Sequence, residues 1–355
     1  MEFSIKNVDL IRIIEICENF SGTIEPGYRF ISLYYNKGLK IFSSEGCAKI
    51  EINFPMINIT PFNGTYIISI DYIKSLVDKK GSDDEYISFQ GNKRDLRIKT
   101  SEDQLILKNC CLEGFPEMER KFEKLFKISR RDFIDKLNFV SSINYDEVPA
   151  DIERIGDKVL FSSNSGNISL LSFYEYSFEK DDNFNFVLPY TTSRHLVKSM
   201  EKIKTEELFF GEGISEGGIK TGKILISFCT DKNLHESDFK DLEIFNDRQS
   251  RVIKKKVFSD CLKKVGNFIR RGYKAILISD KDGLRVYLKL GETEFQTFIS
   301  RDRFEDFVTI IQPHLLRSAI SRLKTQNLYI FKKGDFLYIS NKNREKVIII
   351  PIMKD

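Results

Sequence analysis

One apolar spacing occurs three times along this chain of 355 residues, and nothing else in the sequence limits the fold as strongly. Phe133, Leu137 and Val140 stand at i, i+4 and i+7, which places them on one face of a helix. Leu10, Ile14 and Cys17 repeat that spacing near the N-terminus, and Phe258, Leu262 and Val265 repeat it in the last third. An isoleucine precedes each set by five residues, at Ile5, Ile128 and Ile253, so the copies are offset by 123 and 125 residues. A period this long exceeds any solenoid unit and points to whole domains. Ser129, three residues ahead of Asp132, is placed to cap the start of the middle helix.

The same order of elements can be read in every third. After the first helix come strands and a turn at Asn36-Lys37-Gly38, at Gly156-Asp157 and at Asp280-Lys281-Asp282-Gly283, residues that supply the positive φ a hairpin needs. IFSSEG at 41–46 and LFSSNSG at 160–166 repeat even the wording. A second strand then leads into a second helix, carrying Ile73 and Val77, Leu196 and Met200, or Leu316 and Ile320, with Pro189 and Pro313 at two of the junctions. Closing strands follow, with Leu208 to Phe210 read as leading to Lys223 to Phe228 in the middle third and Val347 to Ile350 the clearest of the last strands. The expected fold class is α+β: three tandem copies of a domain with two helices packed on antiparallel sheet, spanning 1–124, 125–250 and 251–355.

With 41% hydrophobic and 30% charged residues the chain reads as globular, neither disordered nor fibrous. No stretch approaches the ~18 apolar residues of a membrane span, and MEFSIKNVD lacks a signal pattern, so a cytoplasmic protein without a membrane partner is expected. The six cysteines form no CxxC and stand near no histidine at ligand spacing, which predicts buried free thiols, no metal and no cofactor. His195, His235 and His314 have no neighbouring serine, cysteine or acid pattern, so no catalytic residue is predicted and the chain is not expected to be an enzyme. Gly217, Gly222 and Lys223 match part of a phosphate-binding loop. Ile224 stands where that loop needs Ser or Thr, and a strand follows where it needs a helix, so Gly211 to Lys223 is read as a hairpin.

Charge is segregated. The six helical windows 3–20, 70–81, 126–143, 190–204, 253–271 and 313–324 carry a net +14, leaving −10 for the rest of a chain whose net charge is +4. Any one of these helices could be a solvated basic face; the distribution as a whole points to helices sharing a surface toward a polyanion. Candidate phosphate contacts are Arg130, Arg131 and Lys136, then Arg194, Lys198 and Lys202, then Lys254, Lys255, Lys263 and Lys264, then Arg317 and Arg322. No helix-turn-helix, zinc finger or stacking motif accompanies them, so contacts to phosphate that position the protein without reading sequence are expected.

In order and spacing the whole chain resembles the bacterial DNA polymerase III beta subunit, the sliding clamp. Leu112 to Met118 is similar to that family's Phe-Pro segment, Phe245-Asn246-Asp247 with Arg251-Val252-Ile253 to its Phe-Pro-Asp-Tyr segment, and Ile348 to Ile352 to its closing Val-Val-Met-Pro-Met. The resemblance implies a DNA-clamp fold, a homodimeric ring around double-stranded DNA, and tethering of the DNA polymerase III catalytic subunit and a clamp loader. It implies a partner-peptide pocket of Gly166, Asn167, Ile168, Arg251, Val252, Ile348, Ile349, Ile350, Pro351 and Ile352. The family's Thr-Asp-Gly-His-Arg-Leu is here Asn164-Ser165-Gly166-Asn167-Ile168-Ser169, in which the glycine alone is kept. That departure also admits a divergent clamp-shaped adaptor that does not encircle DNA. By position, Leu105 and Leu107 would face Phe268 and Ile269 of a second copy, or else belong to the intramolecular core.

Overall fold

A computed structural model describes residues 1–21, 29–55, 59–77, 85–114, 116, 118, 122–146, 148–179, 183–213, 216–230, 250–270 and 272–353. The protein is α+β. Its elements follow one order three times, a strand and helix, four strands, a second helix, then three strands. The first series is β1 (Glu2–Lys6), α1 (Asn7–Cys17), β2 (Phe30–Tyr35), β3 (Leu39–Ser44), β4 (Ala48–Phe54), β5 (Thr65–Ser69), α2 (Ile70–Leu76), β6 (Tyr86–Gly91), β7 (Leu96–Lys99) and β8 (Gln104–Leu107), with a short β9 (Cys111–Leu112) after it. The second is β10 (Glu123–Ser129), α3 (Arg130–Val140), β11 (Ala150–Ile155), β12 (Lys158–Asn164), β13 (Ser169–Glu175), β14 (Asn185–Leu188), α4 (Tyr190–Lys202), β15 (Glu207–Glu212), β16 (Glu216–Thr221) and β17 (Ile224–Cys229). The third is β18 (Arg251–Lys254), α5 (Lys255–Gly266), β19 (Ala275–Asp280), β20 (Gly283–Leu290), β21 (Thr293–Ser300), β22 (Phe307–Ile311), α6 (Pro313–Arg322), β23 (Asn327–Lys333), β24 (Phe336–Ser340) and β25 (Lys346–Pro351).

One backbone hydrogen bond marks the repeat. The N–H of the first residue of the first helix donates to the carbonyl just ahead of the sixth strand in every series: Asn7 to Glu85 at 2.8 Å, Arg130 to Glu206 at 2.7 Å and Lys255 to Gln326 at 2.9 Å. The periodic apolar residues do what their spacing requires. Phe133, Leu137, Val140, Phe258, Leu262 and Val265 are at most 1% exposed, and Leu10, Ile14 and Cys17 at most 2%. The Asp132 N–H donates to Ser129 Oγ at 3.0 Å, closing the cap of α3.

The chain divides into two compact units, Met1–Ile134 with Arg194–Thr230, and Asp135–Ser193 with Asp231–Asp355. The first holds the antiparallel sheets β1-β6-β7-β8 and β10-β15-β16-β17-β4-β3-β2-β5-β9. β3 buries Leu39, Ile41 and Ser43 in alternation, as a half-covered strand must. The second unit holds β14-β11-β12-β13-β25-β24-β23-β18 and β21-β20-β19-β22. β25 lies between β13 and β24 with Val347 to Ile350 at most 1% exposed, which accounts for its unbroken apolar sequence.

The hairpin expected at Gly211 to Lys223 is more than one loop. Gly217 and Gly218 lie within β16, paired to β15 on one side and β17 on the other, so Lys223 belongs to a second turn. Phe210 therefore meets Ile219, and Ile219 in turn meets Ile226.

Candidate nucleic-acid face, partner cleft and strand edges

Eight of the twelve candidate basic residues are exposed: Arg131, Arg194, Lys198, Lys202, Lys254, Lys263, Lys264 and Arg317. On α5, Lys256, Asp260, Lys263 and Lys264 form one exposed face, opposite the buried Phe258, Cys261, Leu262 and Val265. α5 packs against α6, which exposes Arg317. Lys202 forms an ion pair with Glu15 at 3.1 Å. Lys254 lies on β18 rather than on a helix.

The other four are engaged within the fold. Lys136, expected at the surface, is 7% exposed and donates from Nζ to the Phe173 carbonyl at 2.6 Å. Arg130 donates to the Met200 carbonyl in the last turn of α4 at 3.2 Å and pairs with Glu206 at 3.1 Å. Lys255 donates to the Ser321 and Leu323 carbonyls, at 2.9 and 2.6 Å, where α6 ends. Both cations satisfy carbonyls that a helix C-terminus leaves unpaired and lie at the negative end of its dipole. Arg322 donates from Nε to Asn138 Oδ1 at 3.0 Å. Burial lowers the pKa of Lys255, so its ammonium holds α6 at some desolvation cost. Lys255→Ala is expected to cost ~1–2 kcal/mol in chemical denaturation, whereas exposed Lys263→Ala should stay within ~0.5 kcal/mol of the parent.

The expected pocket residues separate into two places. Asn167, Ile168 and Ile350 line a narrow cleft with Ile311, Gln312 and Leu316 whose usable room is about 10 Å³, roughly that of one water. The β13–β25 pairing brings them together, Ser169 opposite Ile349 and Leu170 opposite Ile348, with Gly166 at φ +79° in the turn before. Ile348 and Ile349 are core, at most 1% exposed, while Pro351 lies at the surface with Ile352 half-buried. Arg251 instead lines a cleft of about 860 Å³, counting its open mouth, with Phe304, Phe307 and Phe331. Strand order is the cause: β18 is three strands from β25, roughly 14 Å at ordinary strand spacing. Val252, on β18, is 56% exposed. Phe245, Asn246 and Asp247 lie outside the described residues. Sequence reasoning missed three exposed apolar side chains around the last strand, Val308, Phe336 and Met353. The Met353 N–H donates to the Val308 carbonyl at 2.9 Å, and Phe336 stands opposite Pro351.

The strand edges follow a rule. The last strand of the second series, β17, pairs with the third strand of the first four, β4, and β25 pairs with β13 in the same relation. The registers match: Ile226 faces Ile50, and Ile348 faces Leu170. The remaining strands of these two kinds, β8 and β21, are both sheet edges among the described residues. Leu105 holds the place of Ile226 and Ile348, being reached by the rows Phe89–Ile98–Leu105, Phe210–Ile219–Ile226 and Ile330–Ile339–Ile348. Phe295 holds the place of Ile50 and Leu170, one residue beyond the pair Lys289–Glu294 that encloses four residues, as do Ser44–Lys49 and Asn164–Ser169. Leu105 and Leu107 are half-buried and Ile106 is 44% exposed. Phe268, 54% exposed, lies 4.5 Å from the Phe295 ring, while Ile269 is buried.

His195 Nδ1 lies 2.7 Å from Glu45 Oε2, and His314 Nε2 lies 3.2 Å from the Ile269 carbonyl; His235 is outside the described residues. Among the described residues no group of three or more His, Cys, Asp or Glu is placed to hold a metal, and no helix is long and apolar enough to cross a membrane.

No family model matches the sequence, and no curated protein sequence matches it. Solved structures do. A candidate DNA polymerase III beta subunit from Eubacterium rectale superposes with a TM-score of 0.83 at 11% identity, covering 99% of both chains. The DNA polymerase III subunit beta from Pseudomonas aeruginosa gives 0.80 at 12% identity over 100% of both chains. The DNA polymerase sliding clamp from Bacillus subtilis gives 0.78 at 13% identity, covering 100% of this chain and 99% of that one. The chain therefore has the sliding-clamp fold along its whole length.

Proposed function

We propose that this chain is a non-catalytic DNA sliding clamp with three modules, 1–124, 125–250 and 251–355, whose copies pair head to tail into a homodimeric ring around duplex DNA. The strand rule carries the proposal. Two joints inside the chain use one kind of pairing at one register, and β8 and β21 are the complementary pair left over. Continued into a second copy, that register sets Leu105 opposite the partner's Phe295, an apolar pair like Ile226–Ile50 and Ile348–Leu170. Three residues further along, Lys108 comes opposite the partner's Glu292, so charge is matched as well. Phe268, beside Phe295, extends the same apolar edge.

A ring holds DNA because it cannot leave sideways, so its inner face needs weak, sequence-blind attraction that still permits sliding. The exposed Lys263, Lys264, Arg317, Arg131, Lys198 and Arg194 supply that attraction, which falls with salt. A short peptide of the DNA polymerase III catalytic subunit or of a clamp loader would dock at Asn167, Ile168 and Ile350. Tethering raises the polymerase's effective concentration on its template.

Light scattering on the purified protein tests closure. At micromolar concentration a species of twice the 41.4 kDa chain mass is expected. A species of single-chain mass would favour an adaptor that binds DNA or proteins without encircling DNA.

A further inference from the structure

Two cysteines face each other across the β4–β17 joint. The ladder that sets Phe228 opposite Ala48 extends by one residue to Cys229 and Cys47, and the Cys229 N–H donates to the Cys47 carbonyl at 2.8 Å. Residues so paired in an antiparallel ladder have Cα atoms about 5.5 Å apart and side chains on one face. A disulfide spans about 4.4–6.8 Å between Cα atoms. Both residues are half-buried, unlike the core thiols of Cys17 and Cys261. Burial, and then the neighbouring Cys229 thiol, push the Cys47 thiol up to about 12. The matching positions of the β13–β25 joint are Asn167 and Pro351, which cannot be linked this way.

We propose that Cys47 and Cys229 are a reversible disulfide site that staples the β4–β17 joint when a low-mass disulfide such as glutathione disulfide is the oxidant. The Cys229 thiolate attacks one sulfur of the oxidant and expels a thiolate, leaving a mixed disulfide. The Cys47 thiolate then attacks the Cys229 sulfur and expels the second. Each protein thiol passes its proton to one departing thiolate, so two electrons leave the protein and the oxidant ends as two thiols. The Lys49–Glu216 and His195–Glu45 contacts, both 2.7 Å, already fix residues around this joint, so closing the bond asks for little movement.

The test is to equilibrate the full chain in glutathione buffers from reducing to oxidising, trap thiols with an alkylating agent, and weigh and map the product. Alkylatable thiols are expected to fall from six to four, with one linked peptide joining Cys47 to Cys229 and reversal on reduction. The bond would close a loop of 182 residues, and the melting temperature should rise by roughly 5 °C or more. Cys47→Ser and Cys229→Ser should melt like the parent in reducing buffer and show no linked peptide and no rise in oxidising buffer. Six alkylatable thiols at the oxidising end, or a bond between Cys110 and Cys111 instead, would overturn the proposal and leave the clamp assignment untouched.

Discussion

Leu105→Arg is expected to leave the protein folded but monomeric, with self-association weakened about a thousandfold, or ~4 kcal/mol. β8 is the outer strand of its sheet and Leu105 is only half-buried in the isolated chain, so the fold loses little. In the proposed seam the same side chain lies against Phe295 of a second copy. An arginine there would have to be desolvated without a partner, and the adjoining strand would lose its apolar anchor. Sedimentation over a concentration series reads the change, with circular dichroism to confirm the fold. Phe295→Arg should behave alike, because it damages the other half of one contact. A Leu105→Arg protein that associates as tightly as the parent would mean that β8 is not the seam.

Asp135→Asn is expected to destabilise the protein by ~3–5 kcal/mol with no direct effect on association. Asp135 pairs with Lys346 at 2.6 Å and Lys324 at 2.7 Å, and Lys346 is 5% exposed, with its ammonium 5.4 Å from the centre of the Phe139 ring. Burial alone would raise the Asp135 pKa, but the bonds from Lys324 and Lys346 outweigh it and the net direction is down. The Lys346 pKa is also lowered, because burial costs its ammonium more than Asp135 returns. The pair therefore favours the carboxylate, and the lysine depends on it. Asp135 contributes its stability above the unfolded value, about 3.9, and loses it as pH falls through the lower folded value. The parent should weaken in that acid window more steeply than the variant. Lys346→Met added to Asp135→Asn should recover much of the loss, since no buried cation is then left unpaired. A denaturation midpoint for Asp135→Asn within error of the parent would contradict this account.

The helices were legible in the sequence because Phe133, Leu137, Val140 and their counterparts obey one period and all enter the core. The fourth strand of each series was not. β21 exposes Thr293, Glu294 and Gln296 and buries Ile299 alone among its residues, so alternation is diluted at what is an edge. β16 was hidden because Gly217 and Gly218 suggest a turn, although the Phe122 ring packs closely on Gly218 and on Gly211 of the neighbouring β15. The basic residues were found as a class but not sorted. Whether a lysine such as Lys255 faces solvent or ends a neighbouring helix depends on a carbonyl 66 residues away. Strand order is equally non-local, which is why Arg251 and Ile350, joined in the expected pocket, lie on β18 and β25 with two strands between them.

Retention on circular DNA tests encirclement most directly. Once loaded on a nicked circular duplex, the protein should stay bound through a wash at a salt concentration that abolishes its binding to short linear DNA, and should be released when a single cut linearises the circle. Release from the intact circle at the same rate as from the cut one would contradict a closed ring.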